Sequence, residues 1–212
     1  MTRVAIVEDH KLLRSSFVAL INDEEKFHVE IEASNGQELL NMINSLSLPD
    51  IVLVDVEMPI MDGPETVLQL RSRYGEDLKI LGLSIHTEVR LVNQMLENGA
   101  NGYLSKAAGA EELFTSFEKL ESVGFYLSKD ISRILKRENG RGHLSVQLNE
   151  KEIAILKLLF KELTNSEIAA TLEIPVNTVN TYRTRMIDKL GVRNTVGLVL
   201  YALKTGICKL TE

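Results

Sequence analysis

The stretch "DIVLVDVEMPIMDG", Asp50 to Gly63, decides the fold. Four apolar residues, Ile51 to Val54, run into Asp55, and an acidic, turn-rich segment with Glu57, Pro59 and Asp62-Gly63 follows at once. A short run of Val, Ile and Leu closed by turn residues reads as a strand buried on both faces. A carboxylate at the end of such a strand needs a chemical reason.

The same rhythm repeats on either side. "RVAIVE" (Arg3 to Glu8) precedes a helical pattern from about Lys11 to Ile21. "HVEIEAS" (His28 to Ser34) has period two and leads through Asn35-Gly36 into a helical pattern reaching about Leu46. Asp50 to Asp55 precedes a helix from about Pro64 to Arg73, and "LKILGLS" (Leu78 to Ser84) one from about Thr87 to Glu97. "NGYLSK" (Asn101 to Lys106) precedes a last one near Glu111 to Glu121. Five strands alternating with five helices predict an α/β fold: a doubly wound, parallel five-stranded sheet with right-handed crossovers and helices on both faces. In such sheets ligands bind beyond the carboxyl ends of the strands. Glu8 and Asp9, Asp55, Ser84 and Lys106 follow or end the first, third, fourth and fifth strands, so all five fall on that edge.

Taken singly, an Asp after a strand is usually a turn or cap residue and a lone Lys is usually solvated. Five such groups on one edge call for a shared chemistry. Three crowded carboxylates repel unless a cation neutralises them, and Mg²⁺ accepts one or two carboxylates while keeping waters and phosphate oxygens. An Asp held there is a competent nucleophile toward phosphorus, with Lys106 and the Ser84 hydroxyl available to the phosphoryl oxygens.

Composition frames this reading. With 212 residues, 44% hydrophobic and 25% charged, the chain has the profile of one or two globular domains. The single cysteine, Cys208, excludes an internal disulfide and fits a reducing compartment. Val4 to Val7 is too short for a signal core, and no apolar run nears the roughly 18 residues of a membrane span; a cytoplasmic protein without membrane association is expected. Residues 1–144 carry 15 Lys and Arg against 23 Asp and Glu, a net −8, while residues 145–212 carry 9 against 7, a net +2. The halves differ in electrostatic character, although +2 alone does not demonstrate nucleic-acid binding.

Residues 122–146 read as a partly helical linker. Ile131, Ile134 and Leu135 share a helical face, and "ENGRGHLS" reads as a tether that places the boundary near Asn139 to Ser145. His10, His28, His86 and His143 lack metal-ligand spacing. From Leu148 onward four helices are expected, over about Glu150–Lys161, Asn165–Leu172, Val176–Leu190 and Thr195–Lys204. "NEKE" and "TNSE" present capping boxes at Asn149/Glu152 and Thr164/Glu167. The short "EIP" turn between the second and third helices, with Pro175 preset for a helix start, is a helix-turn-helix signature. In the third helix Val179, Met186 and Leu190 recur at core spacing, opposite a polar stripe of Asn177, Asn180, Thr181, Thr184 and Asp188.

"VEDH", "VDVEMPIMDG", "LGLSIH" and "GYLSK", in that order, resemble the motif set of the receiver domains of two-component response regulators, a flavodoxin-like fold, over residues 1–121. The resemblance implies that Glu8 and Asp9 hold Mg²⁺, that Asp55 is the phosphoacceptor, and that the Glu57 backbone carbonyl is a further metal ligand. It makes Ser84 the hydroxyl that follows the phosphoryl group, Tyr103 the aromatic switch and Lys106 the phosphoryl-pairing lysine. Ala107 stands where many receivers have a proline, which leaves the usual cis peptide after Lys106 open. "LNEKEIAILKLL" and "LTNSEIAATLEIPVNTVNTYRTRMIDKLGV" resemble the LuxR-type DNA-binding domain of NarL/FixJ-type regulators, placing an all-α, four-helix helix-turn-helix domain at 147–212. Departures are Glu162 for a common glycine, Ser166 and Asn180 for common lysines, Pro175 for a serine cap and Tyr182 for a histidine. By this resemblance Asn180, Thr181 and Thr184 face base edges. Arg183, Arg185, Lys189 and Arg193, with the backbone amides at Thr164, Asn165 and Ser166, face phosphates.

The implied function is that of a transcription regulator, not an enzyme: a sensor histidine kinase phosphorylates Asp55, the chain forms a homodimer, and the dimer binds double-stranded operator DNA. A haloacid-dehalogenase-like phosphatase wants an Asp where Glu57 stands, and a dinucleotide enzyme wants G-x-G-x-x-G where "VEDHKLL" stands. The rival from another class is a phosphorylation-gated protein whose C-terminal helices bind protein or RNA.

Overall fold

The computed structural model describes residues 1–43, 48–76, 78–85, 88–128, 130–132, 135 and 148–208. Its first part runs β1 (Thr2–Val7), α1 (Lys11–Asn22), β2 (Phe27–Ala33), α2 (Gly36–Ile43), β3 (Ile51–Asp55), α3 (Gly63–Tyr74), β4 (Lys79–Ser84), α4 (Val89–Glu97), β5 (Gly102–Ser105), α5 (Ala110–Ser122) and β6 (Tyr126–Leu127). Every pairing is parallel and the strand order is β2-β1-β3-β4-β5-β6. The chain leaves β1 for β2 on one side and returns to β3 on the other, so the order reverses between β1 and β3, the position where such sheets open a ligand crevice.

Central β3 is buried at all five residues, whereas edge strand β2 alternates buried and exposed. The continuous apolar run and the period-two run therefore report position in the sheet. One face packs Ile21, Leu113, Phe117 and Leu120 from α1 and α5; the other packs Leu39, Leu40, Val67, Leu70, Val92 and Met95 from α2, α3 and α4.

The sheet has six strands, one more than the sequence pattern predicts. β6 is two residues long, too short to carry a period, and it rests on close backbone approach: a Cβ at Gly102 would stand 2.5 Å from the Tyr126 carbonyl oxygen. Asn101 completes the join by donating from Nδ2 to the Gly124 carbonyl while its Oδ1 accepts from the Ile80 amide.

The C-terminal part comprises α6 (Glu150–Phe160), α7 (Asn165–Leu172), α8 (Val176–Leu190) and α9 (Thr195–Lys204). Both capping boxes form: Asn149 with Glu152 opens α6, and Thr164 with Glu167 opens α7. Their core joins Ile155, Leu159, Ile168, Val179, Met186, Leu198 and Ala202, with Cys208 buried beside them. The expected tether at Asn139 to Ser145, with His143 and Ile134, lies outside the described residues, as does His86; Ile131 and Leu135 are buried in the core of the sheet domain.

The two parts meet along a seam. Val196, Val199 and Leu200 of α9 join the cluster of Val92, Met95 and Leu96 on α4. Asn194 performs two tasks there. Its Oδ1 caps α9 by accepting from the Gly197 amide at 3.1 Å, and its Nδ2 donates to the Gly99 and Ala100 carbonyls at 2.7 and 3.1 Å. The Gly99 carbonyl also accepts from the buried Arg71 guanidinium, which further donates to Leu78, Gly75 and Asn101. Burial lowers the Arg71 pKa to about 10, still charged at neutral pH. The Lys204–Glu97 and Lys119–Glu162 pairs, each 3.0 Å, span the exposed rim and contribute little, about 0–1 kcal/mol each.

Asn194→Asp keeps the capping oxygen but turns a carboxylate oxygen toward two carbonyls. Small-angle scattering should report a larger radius of gyration with unchanged helical circular dichroism. An unchanged radius would remove Asn194 from the seam.

Candidate functional site

The geometry around Asp55 begins with its loop. Asp62 caps α3, its Oδ1 accepting from the Glu65 amide at 2.9 Å, and Pro64 sits in the first turn. Gly63 lets α3 start directly against β3: a Cβ there would crowd the Asp55 carbonyl and stand 2.7 Å from Val56 Cα. Exposed Ile60 adopts φ 71°, a costly conformation for a β-branched residue. The turn after Asp55 is thus a tightly specified platform, which accounts for the "PIMDG" that follows the strand.

Glu8, Asp9 and Asp55 bring carboxylate oxygens within 4.8 Å of one another, with Glu8 and Asp55 buried and Asp9 exposed. Lys106 places its ammonium 2.7 Å from Glu8 Oε2 and 2.8 Å from Asp55 Oδ1, and is itself nearly buried. Glu8 Oε1 accepts from the His10 amide at 3.2 Å. Glu8 Oε2 has its ion pair with Lys106 but no partner along a hydrogen-bonding direction. Glu57, exposed at its side chain, lines the same cavity of about 220 Å³ with Ser84, Ile85 and Leu13. Burial raises the Asp55 carboxyl above the ordinary carboxylate value, Lys106 opposes the rise, and Glu8 adds to it. Tyr103 is fully buried and hydrogen-bonded to Ser84, and burial raises its phenol. The Lys106–Ala107 peptide is trans.

The donor set fits a divalent cation. Three carboxylates against one ammonium leave two negative charges, all from hard oxygen ligands, and the buried Glu8 Oε2 has the shared Lys106 ammonium as its one ion-pair partner among the described residues. Such an ion supplies charge neutralisation and polarises a phosphoryl oxygen.

On α8, Asn177, Asn180, Thr181, Thr184 and Asp188 are exposed, as the pattern predicts, and Arg185 is exposed as well. Three other residues have duties inside the protein. Arg183 turns inward and donates to Asn165 Oδ1 at 2.6 Å and to the Thr195 hydroxyl, close to Gly124 just before β6. Asn165 Nδ2 donates to Asn180 Oδ1 at 2.6 Å. Lys189 pairs at 2.8 Å with Glu152, the α6 cap residue. Burial alone would raise Glu152, but Lys189 and the Asn149 amide outweigh it and the net shift is downward. Arg193 is exposed at the seam, beside Gly99. Thr164 and Ser166, at the start of α7, are part-exposed and exposed. The sequence carries no distinct signal for Arg71 and Asn194, because an Arg on an amphipathic helix and an Asn before a helix each have an ordinary local role.

The fold joins a parallel α/β domain, with an acidic cluster and a lysine at its strand ends, to a helix-turn-helix domain, and comparison with known proteins agrees. Residues 4–118 match the response regulator receiver domain, and residues 146–202 match the bacterial regulatory proteins of the luxR family. Response regulator UvrY of Escherichia coli K12 is 31% identical over 212 residues, covering 98% of this chain and 96% of that one. Response regulator GacA of Pseudomonas aeruginosa is 31% identical over 98% of each chain. The structure of a two-component response regulator RcsB–DNA complex is similar in fold, with TM-score 0.60 and 22% identity over 96% of this chain and 98% of that one. The chain belongs to the two-component response regulators with a LuxR-type DNA-binding domain, the NarL/FixJ type, a family of transcriptional regulators and not of enzymes. Among the described residues no helix is long and apolar enough to cross a membrane.

Because burial holds the Asp55 pKa up, its ionised form costs stability at neutral pH without a cation. Asp55→Asn should raise the melting temperature at pH 7 by about 2–4 °C, on the order of 1 kcal/mol for a chain this size. The gain should shrink as pH falls and wild-type Asp55 takes up its proton. Millimolar Mg²⁺ should stabilise wild type more than the variant. Equal Mg²⁺ shifts in scanning calorimetry would exclude Asp55 as a ligand.

Proposed function

We propose that this chain is a phosphorylation-controlled transcription regulator. Its receiver (1–121), through the linker (122–146), governs DNA binding by the helix-turn-helix domain (147–212). The observation that carries this reading is the convergence of Glu8, Asp9, Asp55 and Lys106 at the strand ends, beside Ser84 and Tyr103. A sensor histidine kinase supplies the phosphoryl group in the cytoplasm. One Asp55 oxygen bonds to phosphorus as the bond from phosphorus to the donor nitrogen breaks, and the departing imidazole takes a proton. Glu8, Asp9, Asp55 and the Glu57 carbonyl would hold Mg²⁺, which neutralises charge on the phosphoryl oxygens when bound.

The acyl phosphate carries more negative charge than the carboxylate it replaces, so Lys106 gains a stronger partner than Glu8. The Ser84 hydroxyl then donates to the phosphoryl group, and the Tyr103–Ser84 hydrogen bond supports a coupling of Tyr103 to it. A bias between two arrangements of Ser84 and Tyr103 then alters the α4 face and favours a homodimer on two operator half-sites. In each half-site Asn180, Thr181 and Thr184 face base edges. Arg185, Arg193 and the amides of Thr164, Asn165 and Ser166 face phosphates, with Lys189 and Arg183 near them.

Footprinting with the phosphorylated protein tests the reading: protected paired half-sites support it, and binding to RNA or protein without operator protection would contradict it. Lys106→Ala should still accept phosphate but lose the phosphorylation-dependent mass increase in light scattering; a normal increase would count against Lys106 as the coupling group.

A further inference from the structure

We propose that Asn180 reads the major groove as a hydrogen-bond donor only, because Arg183 and Asn165 fix its amide, and that it therefore selects guanine. This rests on the DNA-binding reading above and adds the base that one residue chooses.

The chain of hydrogen bonds fixes which amide atom points where. A guanidinium has only donors, so the Asn165 atom 2.6 Å from Arg183 Nη1 is the oxygen. Asn165 must then present Nδ2 on its other side, and that group donates to Asn180 Oδ1 at 2.6 Å. Arg183 cannot turn away without loss. Its second nitrogen donates to the Thr195 hydroxyl, and the guanidinium is largely withdrawn from water, where charge-assisted hydrogen bonds are strongest. Arg183 and Asn165 are positioning residues, and Asn180 is the reader.

The consequence for recognition is one of polarity. An unconstrained Asn reads adenine with one donor and one acceptor, donating to N7 and accepting from N6. Asn180 Oδ1 is already engaged, so an adenine N6–H would have only its remaining lone pair. Both N–H groups of exposed Nδ2 have no partner among the described residues. Guanine offers two adjacent acceptors, N7 and O6, to meet them, whereas cytosine presents a donor against a donor.

The test is selection from a randomised operator library with the phosphorylated full-length protein, followed by two variants. In wild type the position governed by Asn180 should be guanine, by about tenfold over other bases, and Asn180→Ala should erase that preference at that base pair alone. Asn165→Asp is nearly isosteric, keeps the oxygen facing Arg183 and places a second oxygen toward Asn180. The Asn180 amide should then invert and present its oxygen to the groove, moving the preference to a base with a donor there, cytosine or adenine. An Asn180-dependent position that is not guanine in wild type overturns the proposal, as does guanine retained unchanged by Asn165→Asp. Sequence-selective binding whose preferences all survive Asn180→Ala overturns it while DNA binding stands. No sequence-selective binding by wild type overturns both.

Discussion

The structure depends on one ammonium held between two buried carboxylates. Lys106 stands 2.7 Å from Glu8 and 2.8 Å from Asp55 in a site from which water is largely withdrawn. There, leaving either carboxylate unpaired would cost several kcal/mol. Each partner comes from a different strand end, so the pairing is available only because the order β1-β3-β4-β5 sets those ends side by side. The same arrangement leaves three carboxylates to share one ammonium, an excess of negative charge that suits the site to a divalent cation and, through it, to a phosphoryl group.

The site has a physical route to the DNA-binding helices. Tyr103, hydrogen-bonded to Ser84, lies in the same packed cluster as Val92, Met95 and Leu96 of α4 and Val196, Val199 and Leu200 of α9. Close-packed cores do not deform continuously, so a rearrangement at Ser84 and Tyr103 has to be accommodated along that seam. The polar join of Asn194 with Gly99 and Ala100, backed by Arg71, makes the seam specific in register as well as apolar.

Much of this was legible in the sequence because it follows from local rules. Buried central strands are continuous in Val, Ile and Leu, caps need Asn149 and Thr164 with a Glu three residues on, and catalytic-type side chains collect at strand ends. What the sequence hid depends on the third dimension. β6 is two residues supported by Asn101 and Gly102 and carries no period. Arg71 and Asn194 look like ordinary helix residues until the loop before β5 is brought between them. Arg183 looks like one more cation on a basic helix, and only folding turns it toward Asn165 and Thr195. Lys189 likewise has a partner, Glu152, far away in sequence. The polar stripe was visible; the orientation of its amides was not.

The central claim is that Asp55 takes a phosphoryl group in a cation-dependent site. The most direct measurement is peptide mapping after incubation with acetyl phosphate and borohydride reduction of the acyl phosphate. The account predicts modification at Asp55 alone, dependent on Mg²⁺ and suppressed by chelation. Modification at another residue, or at Asp55 to the same extent without a divalent cation, would contradict it.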